Sequence, residues 1–290
     1  MMDTNTRIGF IGIGVMGESI VRNLMSNGFT VTINTRTKSK ANTLLTEGAK
    51  WCDSPRQLAE ISDVIFTMVG YPHDVEEVYL GSEGIFAGVQ EGTILVDMTT
   101  STPTLAKQIF QLAKEHRVEA LDAPVSGGDI GAKNATLSIM VGGDRSTFDK
   151  VLSLFQVIGE NIVFQGPAGS GQHTKMCNQI AIASNMIGVT EAFVYAQKAG
   201  LDPETVLKSI SNGAAGSWSM SNLIPRVLKK DYSPGFFIKH FIKDMSIAIE
   251  EAEKMNLQLP GLKLAKQMYA TLAQNGEENS GTQALIKFWE

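Results

Sequence analysis

Three glycines near the N-terminus have a spacing that suits the binding of a diphosphate. They lie in the stretch Gly12-Ile13-Gly14-Val15-Met16-Gly17, which follows an apolar run and opens an amphipathic segment. Gly12 permits a tight turn, Gly14 lets the backbone approach a pyrophosphate, and Gly17 lets the following helix pack close to the preceding strand. The helix N-terminus then favours negative charge through its unpaired N–H groups and its dipole. We therefore predict that all six residues of this glycine turn contact a dinucleotide.

The end of the next predicted strand indicates which dinucleotide is bound. The predicted strand at residues 30–33 is followed by Asn34-Thr35-Arg36-Thr37, and residues 19–46 contain no aspartate or glutamate. An NAD site usually places an acid about 20 residues after the glycines to bind the ribose 2′-hydroxyl. Arg36, with the hydroxyls of Thr35 and Thr37, suits the 2′-phosphate of NADP instead. We predict NADP, with NAD possible; a solvated basic loop is the alternative.

A second group of candidate residues lies at the start of a long helical pattern, residues 172–199, which Gly200 closes. Lys175, Asn178 and Gln179 are three and four residues apart, so they share one helix face. A lysine near the positive end of a helix dipole has its charged form disfavoured, which suits acid–base work. The alternative is a solvated lysine on a helix surface.

Between these two regions, one loop could hold a carboxylate. In Asp122-Ala123-Pro124-Val125-Ser126-Gly127-Gly128, a hydroxyl and two unhindered backbone amides directly follow a predicted strand. Adjacent glycines let successive amides converge on an anion, and Ser126 adds a donor. The alternative is a glycine turn that leads into the apolar residues 137–141.

The elements that position these residues alternate between strand and helix. Apolar runs at residues 64–69, 94–97 and 118–121 are separated by helical patterns, which predicts a parallel sheet covered on both faces. Ser54-Pro55 and Thr102-Pro103 each predict a helix start. The loops that follow the strands lie at the edge where open α/β sheets bind ligands. We therefore place Met68 and Val69 in the cofactor site.

After Phe164 the sequence shows helical patterns alone, including residues 236–255 and 261–274. We predict an α/β protein with an N-terminal Rossmann-type parallel sheet domain at residues 1–166. An all-α domain at residues 167–290, joined by a long interdomain helix, follows it. Inside this second domain, Lys243-Asp244 is interpreted as a pair on a helix surface.

Composition excludes several classes of function. The chain has 290 residues, 43% of them hydrophobic, and a net charge of −5, which argues against binding of nucleic acid or of anionic membranes. Cys52, Cys177 and the four histidines are scattered, so we expect neither disulfides nor a metal site. The N-terminus lacks a signal-like segment, and no run predicts a membrane span. We expect a cytoplasmic enzyme.

In their order along the chain, these motifs resemble those of the β-hydroxyacid dehydrogenase family, of the 3-hydroxyisobutyrate dehydrogenase type. The resemblance rests on the glycine turn, on residues 122–128, on Gly169-Ser170-Gly171 with Lys175 and Asn178, and on Lys243-Asp244. It departs from the family at Gln179, where many members have asparagine, and at Thr35, where asparagine commonly precedes the arginine.

The resemblance implies a role for each matching residue. Lys175 is the catalytic lysine, Ser126, Gly127, Gly128 and Asn178 hold the substrate, and Thr100 and Lys243 contact the cofactor. The implied reaction is reversible hydride transfer between NADP(H) and a small β-hydroxy acid or its semialdehyde. The family also implies a homodimer or homotetramer built through the helical domain. Trp218 is a candidate for the far side of the substrate pocket, with burial in the core as the alternative.

Three other functions are weighed against this one. A decarboxylating enzyme resembling 6-phosphogluconate dehydrogenase carries histidine and glutamate where this chain has Asn178 and Ile182. Imine reductases usually lack a lysine at position 175. A dinucleotide-binding protein that has lost catalysis is a third alternative, which retention of Lys175 disfavours.

Overall fold

The structure is a computed structural model, and it describes residues 2–290. The chain divides into two compact units, residues 1–175 and 176–290. The predicted boundary at residue 166 stays a prediction.

A nine-stranded sheet forms the centre of the first unit. Its first six strands are parallel, in the spatial order β3-β2-β1-β4-β5-β6. Their bounds are β1 Ile8–Ile11, β2 Val31–Asn34, β3 Lys50–Trp51, β4 Val64–Thr67, β5 Ile94–Asp97 and β6 Glu119–Asp122; the others are β7 Val125–Ser126, β8 Leu137–Gly143 and β9 Gly159–Gly166. The predicted Rossmann-type α/β fold is confirmed.

The last part of the sheet departs from the expected parallel arrangement. Strand β8 runs antiparallel to both β6 and β7, and β9 pairs with β8 in parallel. A parallel crossover needs a dozen or more residues, usually including a helix of full length. Only residues 127–136, with one short helix, separate β7 from β8, so the chain returns antiparallel.

Seven α-helices lie wholly within the described part of the first unit: α1 Val15–Ser26, α2 Asn42–Thr46, α3 Pro55–Glu60, α4 Pro72–Leu80, α5 Pro103–Glu115, α6 Gly128–Lys133 and α7 Arg145–Ile158. Two short 3₁₀ helices, Lys38–Ala41 and Ile85–Ala87, accompany them. The predicted starts of α3 and α5 are confirmed. The Ser54 side chain accepts from the Gln57 N–H, and Thr102 accepts from that of Leu105. These caps satisfy amides that the first helical turn leaves unpaired.

Alternate strand residues pack on opposite faces of the sheet. Phe10, Phe66 and Val96 join one hydrophobic core, and Ile65 and Leu95 join the other. The strands are therefore buried on both faces, which explains their continuous apolar runs. The polar loops that follow these strands lie at the carboxyl edge of the sheet.

The second unit is helical, as predicted, and its described residues contain one isolated β-bridge, between Phe237 and Gly281. Helix α8, Ser170–Lys198, begins in the first unit and continues into the second. The further helices are α9 Pro203–Ile210, α10 Trp218–Asn222, α11 Ile224–Leu228, α12 Ile238–Lys254 and α13 Pro260–Leu272, followed by a π-helical segment Ala273–Glu277 and a 3₁₀ segment Thr282–Trp289. Among residues 2–290, no helix combines the length and apolarity that a membrane crossing requires.

Candidate active site

The glycine turn between β1 and α1 leaves space at one glycine and none at the other two. Gly12 has φ +104°, and a Cβ there would lie 2.1 Å from the carbonyl oxygen of Met68. A Cβ on Gly17 would lie 2.1 Å from the carbonyl oxygen of Gly12. A Cβ on Gly14 would meet no atom within 4 Å. Gly12 and Gly17 are thus required by the protein itself, whereas Gly14 borders open space.

That open space lies at the N-terminus of α1, where Gly14 is the N-cap residue with no side chain to satisfy the first amides. A pyrophosphate fits such a position, because backbone N–H groups and the helix dipole both favour an anion. Val15 is 52% exposed and Met16 is half-buried, so both have surface that a ligand can reach. Ile13 is buried in the core, so its side chain is not available to a ligand.

The residues at the end of β2 differ in burial: the first, Asn34, is part of the protein interior, and those that follow become exposed. Asn34 is buried, and its Nδ2 donates to the Cys52 carbonyl at 3.0 Å, which ties the β2 end to the segment after β3. Thr35 is half-buried, and Arg36 and Thr37 are exposed. Nη1 of Arg36 lies 3.3 Å from Oδ1 of Asp74, an acid at the start of α4 that sequence reasoning missed.

A buried network of hydrogen bonds supports the loops after β4 and β5. The Asp97 carboxylate accepts from the Thr67 hydroxyl at 2.9 Å and from the Thr99 N–H at 3.0 Å. The Val69 N–H donates to the Thr99 hydroxyl at 3.0 Å, so the two loops are joined. Burial raises the pKa of Asp97 to about 6, against the hydrogen bonds from Thr99 and Thr67 that favour the charged form.

Gln172 connects the loop after β5 to the first turn of α8. Its Oε1 accepts from the Ser101 N–H at 3.0 Å, and its Nε2 donates to the Thr99 carbonyl at 2.7 Å. Thr100, the predicted cofactor contact, lies between these two anchored residues. No sequence pattern marks a glutamine that joins a loop to a helix, so Gln172 could not be identified from the sequence.

The segment after β6 holds the start of α8 at two points. The buried Asp122 carboxylate accepts from the Gly169 N–H at 2.7 Å and the Gln172 N–H at 2.8 Å. Burial raises the pKa of Asp122, and these backbone amides oppose that shift. Three residues later, the Val125 carbonyl accepts from Nζ of Lys175 at 2.9 Å. Lys175 is 7% exposed, so it is not a solvated surface lysine.

The predicted carboxylate loop begins at the residue after this carbonyl. Ser126 ends β7 and is half-buried. Gly127 and Gly128 follow with φ +131° and +64°, a conformation that other residues rarely adopt. The Ser126 hydroxyl and the two glycine amides are thus adjacent along the chain to the carbonyl that anchors Lys175.

In the second unit, a series of polar contacts connects Asn178 to Lys243, two residues of the predicted site. The series passes through Asp244, which the sequence analysis placed on a helix surface. Asn178 Nδ2 donates to Gln179 Oε1 at 2.7 Å, and Gln179 Nε2 donates to Asp244 Oδ2 at 2.6 Å. Oδ1 of Asp244 lies 2.9 Å from Nζ of Lys243. Asp244 is 1% exposed, so its interpretation as part of a helix-surface pair was wrong. The carboxylate lies on the buried face of α12, where it satisfies Gln179.

Trp218 is the first residue of α10 and is 60% exposed, which excludes its burial in the core.

Across residues 2–290, no group of three or more histidine, cysteine, aspartate or glutamate side chains is arranged to hold a metal ion.

Comparison with known proteins identifies the family. A model of the NAD-binding domain of 6-phosphogluconate dehydrogenase matches residues 7–166, and one for NAD-binding of NADP-dependent 3-hydroxyisobutyrate dehydrogenase matches residues 169–289. The chain belongs to the 3-hydroxyisobutyrate dehydrogenase family. It is therefore an NAD(P)-dependent enzyme of the hydroxyacid dehydrogenase class, which confirms the resemblance and the predicted kind of enzyme and cofactor.

Individual relatives within this family cover almost the whole chain. An uncharacterized oxidoreductase of Bacillus subtilis, YkwC, is 61% identical over 97% of this chain and 98% of its own. A probable mitochondrial 3-hydroxyisobutyrate dehydrogenase-like protein of Arabidopsis thaliana is 50% identical over 98% of this chain and 85% of its own. The solved structure of Mycobacterium tuberculosis 3-hydroxyisobutyrate dehydrogenase with L-serine has a TM-score of 0.90 and 29% identity, and covers 100% of both chains.

Proposed function

We propose that this protein catalyses reversible hydride transfer between NADP(H) and a small β-hydroxy acid or its semialdehyde, with Lys175 as the proton donor. The observation that carries the proposal is the position of Lys175. Its Nζ is buried and held by the Val125 carbonyl at 2.9 Å, directly before the predicted carboxylate loop. A buried lysine beside an anion-binding loop suits a substrate that has both a carboxylate and a reacting oxygen.

The cofactor is held by three parts of the first unit in this proposal. The open space at Gly14 and the N-terminus of α1 receive the pyrophosphate, and Arg36 with Thr35 and Thr37 binds the 2′-phosphate. Met68, Val69 and Thr100 line the carboxyl edge of the sheet, on loops that the Asp97 network holds together. Lys243, positioned by Asp244, is a further contact from α12.

The substrate carboxylate accepts from the Ser126 hydroxyl and the amides of Gly127 and Gly128, with Asn178 and Trp218 as further contacts. Fixing the carboxylate holds the neighbouring carbons in one orientation, which favours reaction by removing alternative poses. 3-Hydroxyisobutyrate, which gives the family its name, and L-serine, which is present in the Mycobacterium tuberculosis structure, share a carboxylate and an alcohol two carbons away. This pattern supports a β-hydroxy acid with a small substituent between the two groups.

When bound, NADPH would supply the hydride for reduction, and NADP⁺ would accept it in oxidation. In the direction of reduction, the Lys175 ammonium donates a proton to the carbonyl oxygen as negative charge develops on it, and the product is the alcohol. In oxidation, the neutral amine takes the proton from the alcohol. The Val125 carbonyl orients Nζ, and in the proposed reaction the positive charge of the ammonium stabilises the oxyanion.

Three broader expectations accompany this proposal. We expect a homodimer or homotetramer built through the helical residues, a cytoplasmic location, and a domain boundary near residue 166. Sedimentation of the purified protein tests the first of these expectations, and limited proteolysis tests the last.

A panel assay tests the proposed reaction. Purified protein is mixed with NADPH and a set of three- and four-carbon semialdehydes, and with NADP⁺ and the matching β-hydroxy acids, while absorbance of the reduced nicotinamide is followed. We expect turnover with substrates that carry the carboxylate and none with the corresponding esters or amides. Equal turnover of acids and amides would contradict the carboxylate loop.

A further inference from the structure

An acid faces the arginine that is proposed to bind the 2′-phosphate. Nη1 of Arg36 lies 3.3 Å from Oδ1 of Asp74. The Arg36 side chain is 89% exposed and comes from the loop after β2, whereas the Asp74 side chain is 18% exposed and belongs to the first turn of α4. The adenosine end of the site therefore contains a carboxylate, although β2 itself ends without one.

Asp74 is fixed in place, unlike its partner. Its Oδ2 accepts from the Tyr71 N–H at 3.1 Å, which satisfies an amide at the start of α4. His73, stacked on Tyr71 with ring centroids 5.3 Å apart, places Nε2 3.6 Å from Oδ1 of Asp74. Because the carboxylate completes a helix cap, turning it away from Arg36 costs the hydrogen bond of that cap. The mobile arginine can move to a ligand, but the acid remains.

We propose that Asp74 determines the balance between NADP and NAD in this enzyme. The proposal rests on the proposed role of Arg36. A 2′-phosphate that binds Arg36 competes with the Asp74 carboxylate for the same guanidinium, and it brings a second negative group towards that acid. NAD has a hydroxyl at that position, so it binds without charge repulsion from Asp74 and without disturbing the ion pair between Arg36 and Asp74. A repulsive group against one ligand is a common source of selectivity, and here it weakens NADP relative to NAD.

The surrounding charges explain why the acid moderates NADP binding without abolishing it. Lys38 and Lys40 follow Arg36 on the same loop and attract phosphate. Nζ of Lys38 lies 4.7 Å from the centre of the Trp51 ring, so it is held near the end of β3. A second acid lies nearby, since Asp53 Oδ1 accepts from Nε1 of Trp51 at 2.7 Å. The three basic residues outnumber these two acids, and the site accepts phosphate at a reduced affinity.

The direct test is Asp74→Asn, which removes the charge and keeps an oxygen that can accept from the Tyr71 N–H. Dissociation constants for NADP⁺ and NAD⁺ are measured by titration of the whole protein at low salt. We expect NADP⁺ to bind about 3- to 10-fold more tightly, the size expected for like charges a few Å apart at a solvated site, and NAD⁺ to change less than about 2-fold. Asp74→Ser, which also keeps an oxygen acceptor, serves as a second neutral variant.

Glu76→Gln is the matched control, because it removes the same charge two residues further along α4, on another side of the helix. An unchanged ratio of NADP⁺ to NAD⁺ affinity in both Asp74 variants, or an equal change in Glu76→Gln, would overturn the proposal. The gain for NADP⁺ should shrink as salt is raised; a gain that persists undiminished would also overturn it.

Arg36→Ala, measured in parallel, separates this inference from the proposed function. If Arg36→Ala weakens NADP⁺ and spares NAD⁺ while the Asp74 variants change nothing, the role of Asp74 alone is wrong. If Arg36→Ala weakens both cofactors equally, the 2′-phosphate site is misplaced, and the inference is overturned with it.

Discussion

Two lysines of the proposed site are held by different chemistry. Nζ of Lys175 donates to the neutral carbonyl of Val125 at 2.9 Å, whereas Nζ of Lys243 lies 2.9 Å from the Asp244 carboxylate. In the proposed reaction the carbonyl orients Lys175 towards the reacting oxygen, whereas the adjacent carboxylate attracts the charge of Lys243. Lys175 is accordingly suited to proton transfer and oxyanion stabilisation, and Lys243 to a fixed contact.

A residue-scale prediction concerns Asp97, whose pKa burial raises from 3.8 to about 6. Between pH 4 and pH 6, the folded protein holds a proton that the unfolded chain has released, so this group makes stability fall as pH rises through that window. Asp97→Asn removes this dependence and keeps the oxygen that accepts from Thr67 and Thr99. The free energy of unfolding of the variant minus that of wild type should increase by about 2 kcal/mol from pH 4 to pH 7.

Urea unfolding at the two pH values measures this difference. Glu115→Gln, an exposed acid on α5, is the control and should show no such trend. A difference between Asp97→Asn and wild type that is the same at both pH values would contradict the assigned cause.

At the scale of elements, the carboxyl edge of the sheet is organised by acids that accept backbone amides. Asp97 at the end of β5 accepts from Thr99, and Asp122 at the end of β6 accepts from Gly169 and Gln172. Gln172 joins the two, since its side chain bonds the loop after β5. The start of α8, and with it Lys175, is thereby fixed to the loop that carries Thr100.

The glycine turn yields a paired prediction at the same scale. Gly14→Ala places a methyl group in open space, so folding should be preserved while NADP⁺ and NAD⁺ both bind more weakly, because the methyl group narrows the approach to the pyrophosphate. Gly17→Ala forces a Cβ to 2.1 Å from a backbone oxygen, so it should destabilise the protein. Thermal unfolding and cofactor titration of the two variants separate these effects.

The opposite result, in which Gly14→Ala is destabilised and Gly17→Ala folds but does not bind cofactor, would contradict the roles given to these two glycines. Wild-type affinity for both cofactors in Gly14→Ala would contradict the proposal that the pyrophosphate binds at Gly14.

At the scale of the whole molecule, much of the fold could be predicted because its signals are local. Apolar runs buried on both faces, the caps Ser54 and Thr102, and Gly200 with φ +72° after α8 all act within a few residues of the chain. The chemistry-bearing segments could be recognised for the same reason, since glycine turns and strand ends are local patterns.

The remaining features depend on contacts distant in sequence. The reversal of β8 follows from the length of its connection to β7, and the burial of Asp244 follows from Gln179, 65 residues earlier in the chain. Asp74 faces Arg36 across 38 residues, and Gln172 reaches the Thr99 loop across 73. A helical or strand pattern carries no information about such partners, because each depends on how the elements pack.

The role of Lys175 as proton donor is tested most directly by the single-turnover rate of hydride transfer in Lys175→Ala, measured with bound NADPH and a substrate from the panel. We expect a rate lower by about 10²–10⁴, the usual contribution of a general acid, with NADPH affinity and unfolding temperature near wild type. Lys198→Ala, at the far end of α8, should react at the wild-type rate. A Lys175→Ala protein that folds, binds NADPH and keeps more than about a tenth of the wild-type rate would contradict the assignment of Lys175.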